Sequence, residues 1–132
     1  MATINQMLSS PLMRAPAGPW SSAIEVKPGA RYVFTAGLVG VKLDGTFDAD
    51  IEGQTVQTFR NLLAILDAAG MNMDHVVKLN IYLTDIANQP RYAEARKPFL
   101  GDAHPAMTLF EVKGLARPGV LVEVEAVAAK HD

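Results

Sequence analysis

Val76-Val77-Lys78-Leu79-Asn80-Ile81-Tyr82-Leu83-Thr84 alternates in residue type along its length. Val77, Leu79, Ile81 and Leu83 fall on one side of an extended chain and Lys78, Asn80, Tyr82 and Thr84 on the other, which predicts a half-buried strand. On both sides of this stretch the period changes. Upstream, Val56, Phe59, Leu63 and Leu66 recur at helical spacing within residues 51–69, preceded by the cap candidates Asp48 and Asp50 and followed by Gly70, placed for left-handed closure. Downstream, Tyr92, Ala95 and Phe99 are spaced for one helical face. Pro90 suits a first helical turn there, and Pro98, which removes a backbone donor, predicts a short helix that ends or kinks. The strand therefore lies between two helices.

Residues 106–112 and 120–128 read as the last two strands, joined by Lys113-Gly114-Leu115-Ala116-Arg117-Pro118-Gly119. At the other end, Ala23-Ile24-Glu25-Val26 and the β-branched, aromatic run from Arg31 to Gly40 flank Lys27-Pro28-Gly29-Ala30, which predicts a turn and a first hairpin. The order ββ, α, β, α, ββ predicts a two-layer α+β domain, a mixed and mostly antiparallel sheet with two helices on one face. On the final strand Val120, Val122, Val124, Ala126 and Ala128 make one apolar row, while Leu121, Glu123, Glu125 and Val127 alternate opposite. Both faces carry apolar atoms. One face is expected against the helices and the other against a neighbouring subunit.

With 132 residues, 49% of them apolar and 20% charged, the chain is expected to form one domain, residues 1–132. A formal charge of −2 and no Lys/Arg cluster give no footprint for a phosphate backbone, so nucleic acid is not expected as a partner. No cysteine and three scattered histidines, His75, His104 and His131, predict neither disulfides nor a metal site. No phosphate-binding glycine loop appears, so no cofactor is expected. The stretch Met1-Ala2-Thr3-Ile4-Asn5-Gln6 lacks the pattern of an export signal, and no apolar run approaches the roughly 20 residues that span a bilayer. A cytoplasmic location and no membrane contact are the expectation.

His104-Pro105-Ala106-Met107-Thr108-Leu109-Phe110-Glu111-Val112, leading through Gly114-Leu115 into the alternating strand 120–128, resembles the closing signature of the RidA (YjgF / L-PSP) family. That signature reads Pro-Ala-Arg-Thr or Ser, a short strand, Leu-Pro, then an alternating apolar/Glu strand. The resemblance extends over nearly the whole chain. Gly18-Pro19-Trp20-Ser21-Ser22-Ala23, Phe34-Thr35-Ala36-Gly37-Leu38, Gln54 with Asn61-Leu62, and Leu66-Asp67-Ala68-Ala69-Gly70 match family patterns in order and spacing. The resemblance implies a RidA-like (chorismate-mutase-like) fold, a homotrimer, and small-metabolite clefts between subunits. It also implies an activity, in which a water positioned by a Glu attacks the C=N carbon of an imine or enamine and ammonia leaves. That Glu maps onto Glu123, the catalytic candidate.

The other implied site positions depart from the family. Met107 stands for the arginine that grips a substrate carboxylate, Ala36 for Ser, Leu38 for Gln and Trp20 for Tyr, and the second-helix Asn falls at about Ala93. Trp20, Ala36, Leu38 and Met107 are thus substrate-binding candidates for a less polar ligand, since a thioether cannot form a bidentate pair with a carboxylate. Arg96 and Arg117 are candidates to replace the cation, although a helix surface and a solvated turn are the simpler places for them. Each assignment has a plainer alternative. Alternating Glu residues commonly line a solvated sheet face, methionine commonly fills core gaps, and Trp20 could anchor an interface. The implied function is hydrolytic deamination of an imine, enamine or related activated compound; the alternative is a non-catalytic, ligand-binding or chaperone-like trimer.

Overall fold

In the computed structural model, which describes residues 5–132, the first helix forms where its periodicity places it. Residues 1–4, part of the stretch read for an export signal, lie outside the described residues. Helix α1 spans Ile51–Ala68; the Asp50 carboxylate accepts from the Gly53 N–H, and Gly70, at φ 70°, follows its end in the left-handed region. Its buried face differs from the expected one. Phe59, Leu62 and Leu66 are buried beside the polar Gln54, Thr55 and Thr58, while Val56 and Leu63 are half-buried. The second helix, α2 (Gln89–Leu100), is longer than expected and runs through Pro98, whose missing donor falls in the last turn before Gly101.

Four strands make the main sheet. β3 (Arg31–Phe34), β6 (Val122–Lys130), β4 (Val76–Leu83) and β5 (Ala106–Glu111) lie side by side in that order, the first two pairs antiparallel and β4–β5 parallel. A parallel neighbour requires a crossover, and α2 supplies it. The last two strands are therefore not adjacent: β4 stands between them. The expected first hairpin does not form either. The turn at Lys27–Ala30 is present, with Gly29 at φ 92°, but β2 (Ala23–Glu25) pairs with β1 (Gln6–Leu8) in a separate two-stranded sheet. One further correction concerns β4. The ladder slips between Val76 and Lys78, so Val76 rather than Val77 enters the core.

Leu79, Ile81, Leu83, Val122, Val124, Ala126 and Ala128 join Phe59, Leu62 and Leu66 in one core. The Phe59 ring lies 5.8 Å from Phe99 and 6.3 Å from Tyr92, which fastens α1 to α2 over the sheet. This is the two-layer α+β arrangement. Among the described residues no helix is long and apolar enough to cross a membrane.

One polar side chain in this core has three backbone partners. Gln54, 1% exposed, donates through Nε2 to the carbonyls of Asp48 (2.9 Å) and Gly119 (2.8 Å) and accepts through Oε1 from the Leu121 N–H (2.8 Å). It holds the loop before β6 to the start of α1. Gln54→Leu keeps the size and strips all three backbone groups of their partner; at roughly 1–3 kcal/mol for each buried group left unsatisfied, it should destabilise the fold by about 3 kcal/mol or more. A urea midpoint within error of the parent would refute that.

Candidate functional site

The sheet face turned away from the helices has a polar centre and an aromatic rim. Register places Lys78, Asn80, Tyr82, Thr108, Glu123 and Glu125 on this face, with Tyr32, Phe34 and Phe110 exposed around them. Glu125 is engaged: its Oε1 accepts from the Tyr82 hydroxyl at 2.6 Å and from Asn80 Nδ2 at 3.1 Å. The bond to Glu125 holds the Tyr82 hydroxyl above its ordinary pKa, with desolvation and the charges of Glu125 and Glu123 adding to the shift. Lys78 Nζ donates to Thr108 Oγ1 at 2.9 Å.

Glu123 sits differently. Phe34 pairs with Val127 and Leu38 with Val124, so residues 35–37 face only 125 and 126, and the extra residue makes a bulge beside Glu123. The Thr35 hydroxyl accepts from the Ala126 N–H within it. Gly37 meets the Glu123 side chain closely enough that a Cβ there would stand 2.3 Å from Oε2. Glu123 is half-buried and, among the described residues, has no side-chain hydrogen-bond partner. Its carboxylate is thus placed by packing and left available. Of the two neighbouring candidates, Ala36 is exposed on the bulge, whereas Leu38 packs against the core.

Met107 and Trp20 belong to another neighbourhood. Met107 pairs with Leu79, whereas Glu123 pairs with Tyr82, so within one chain the two candidates occupy opposite faces of the sheet. Met107 is half-buried against the core. Half-buried Trp20 is carried by a segment whose next residue, Ser21, bonds through both its N–H and its hydroxyl to the carbonyls of Pro105 and His104, just before β5.

Arg96 is the residue whose place the sequence reading missed. It is 5% exposed, not on a helix surface: Nη1 lies 3.5 Å from Met107 Sδ, and the guanidinium carbon stands 5.1 Å from the centroid of Tyr92. A cavity of about 360 Å³ opens beside it, lined by Pro19, Ala93, Glu94, Arg96, Lys97, Leu100 and Gly101. The available signal was the spacing Tyr92, Arg96, Leu100, two steps of four along one helical face with all three residues buried. Arg117, the other cation candidate, donates to the Gly45 carbonyl and covers the Phe47 ring on an exposed turn.

Residues 11–130 match the model of the family described as Endoribonuclease L-PSP. The chain belongs to the RidA (YjgF / L-PSP) family. A RutC family protein of Pyrococcus horikoshii is 35% identical over 118 residues, covering 88% of this chain and 90% of that protein. A 2-iminobutanoate/2-iminopropanoate deaminase of Mus musculus is 32% identical over 131 residues, 96% of this chain and 93% of that one. Among solved structures, a Rid-family protein of unknown function from Yersinia pestis superposes with a TM-score of 0.83 at 28% identity, covering 96% of this chain and 98% of that one.

The RidA fold here brings Glu123, Gly37 and Ala36 together at one bulge, and Trp20, Met107 and Arg96 around the start of β5 and the second helix. The close approach at Gly37 generates a specific expectation. Gly37→Ala should displace Glu123 and destabilise the fold by about 1–3 kcal/mol, and adding Glu123→Ala should return much of the loss. Additive losses in that double-mutant cycle, measured by chemical denaturation, would mean that the two residues do not share the space.

Proposed function

We propose that this chain hydrolyses the C=N bond of an imine, or of the imine formed from an enamine, in a small metabolite, with Glu123 as the proton-transfer group. Water adds to the imine carbon as the Glu123 carboxylate takes one of its protons and passes it to nitrogen; the same carboxylate then moves the proton of the new hydroxyl to the amine, the C–N bond breaks as the C=O bond forms, and ammonia leaves a carbonyl product. The observation that carries this reading is the contrast between the two glutamates. Glu125 is occupied by Tyr82 and Asn80, while Glu123, one residue pair along the same face, rests against Gly37 with its carboxylate uncommitted. Family membership and the deaminase name of the mouse relative support the reaction class.

The site is completed, in this reading, between subunits of a homotrimer. Support comes from the opposite placement of Glu123 and Met107 within one chain and from the exposed Tyr32, Phe34 and Phe110 around the polar centre. Light scattering after size exclusion should give a mass three times that of the chain; a stable monomer at micromolar concentration would remove the shared cleft. A second reading, a non-catalytic ligand-binding or chaperone-like trimer, is favoured by one contact, Met107 packed on Arg96 and the core.

Glu123→Gln separates the readings. It keeps shape and removes the proton chemistry, so hydrolysis of the imine, followed by trapping with semicarbazide during turnover, should fall by roughly 10²–10⁴-fold. Glu125→Gln retains an acceptor for Tyr82 and should be mild. Equal, small effects of both substitutions would favour the non-catalytic reading.

A further inference from the structure

The cavity beside α2 is lined by a buried cation, Arg96, that forms no ion pair among the described residues. The ion pairs among the described residues join Lys27 to Glu25, Arg31 to Asp132, Lys42 to Asp48 and Arg91 to Glu52, and none includes Arg96. A guanidinium withdrawn from water ordinarily has a carboxylate or several oxygen acceptors, because desolvating an unpaired charge is costly. Arg96 has a thioether, which is a weak acceptor, and the face of Tyr92. Tyr92 is itself fully buried, and among the described residues its hydroxyl meets no partner in full hydrogen-bond geometry; burial raises its pKa, with the polar contact and charge of the neighbouring Arg96 opposing the shift. Two polar groups in contact with each other are thus short of partners at the edge of a space of about 360 Å³, a size within the range of roughly 300–1,000 Å³ typical of small-molecule sites.

We infer that Arg96 anchors the carboxylate of a small monoanionic ligand in this cavity, with Met107 and Tyr92 holding the guanidinium in place. This deepens the function proposed above by naming the substrate class, and depends on it only for the chemistry that follows binding. The planar guanidinium matches a carboxylate with two parallel hydrogen bonds. Lys97 and Glu94 line the same space and offset each other's charge, so the ionic groups there leave one net positive charge, suited to a monoanion rather than a phosphate dianion. Pro19, Ala93 and Leu100 supply apolar walls for a short aliphatic body. A cation at residue 107 is unnecessary in this arrangement, because the charge arrives from α2.

The test compares butanoate with its neutral isostere butanamide, and with inorganic phosphate. Trp20 is the chain's one tryptophan and adjoins Pro19 of the cavity wall, so its indole N–H resonance can report the titrations. The parent should bind butanoate at least about 10-fold more tightly than butanamide, the scale of a lost charge-assisted pair. Arg96→Met, with the apolar stem retained, should erase that preference, and Arg96→Lys should weaken butanoate binding by about 10-fold through loss of the bidentate geometry. Should Arg96→Met fail to fold, Arg96→Lys and the parent's own ratio decide. Equal binding of butanoate and butanamide, no saturable binding of butanoate, phosphate bound as tightly, or a folded Arg96→Met that keeps the preference would each overturn the assignment. Glu123→Gln should retain the butanoate preference; if it does while turnover proves independent of Glu123, the anion site stands and the proposed reaction falls.

Discussion

The amide of Gln54 is the constraint on which the functional geometry rests. A loop that enters the core brings backbone groups that water can no longer satisfy, and each needs an internal partner. Here a single side chain on the first turn of α1 meets Gly119 and Leu121 on the way into β6 and Asp48 on the way into its own helix. Asn61, two turns further, donates to the carbonyls of Val39 and Val41, and Gly40 passes so close to Gln54 that a Cβ there would stand 2.5 Å from its carbonyl oxygen. The polar face of α1 thereby fixes both chain segments flanking the bulge. Glu123 lies where it does because the entry to β6 and the exit from β3 are held by the same helix.

The bulge then turns this restraint into the particular setting of Glu123. An uninterrupted ladder would carry β3 straight past Glu123 with every backbone group paired across. The extra residue lifts residues 35–37 out of regular pairing, exposes Ala36 and lays Gly37 against the carboxylate. Across the sheet, α2 and β5 shape the other neighbourhood by a separate route. A helix in a parallel crossover must pack along the sheet, and the packed stripe of α2 contains an arginine as well as Tyr92 and Leu100.

Much of this was legible in residue order, and the gaps have physical causes. Helix α1 and strand β4 could be read because one-sided burial imposes a period on many successive residues. Three-residue strands such as β1 and β2 carry no period, so their pairing with each other could not be told from a hairpin between β2 and β3. The insertion of β4 between β5 and β6 was equally hidden, since alternation looks the same whichever neighbour a strand takes. Glu123 was legible only by resemblance. The burial of Arg96 contradicts the ordinary solvent preference of arginine, and only its step of four from Tyr92 and from Leu100 hinted at it.

The topology also orders events during synthesis. β6 occupies the middle of the sheet between β3 and β4, yet it is the last strand to leave the ribosome, and Arg31 must wait for Lys130 before it has a partner. Until then β4 and α2 can assemble with β5 as a local unit, but the edge of β4 destined for β6 stays open, as does β3. Pairing so distant in sequence slows folding, and unpaired edges invite association with other chains. A nascent chain of this design spends most of its synthesis with the central slot of its sheet vacant, and closes it in one late step that completes the core and sets Glu123 against Gly37 together.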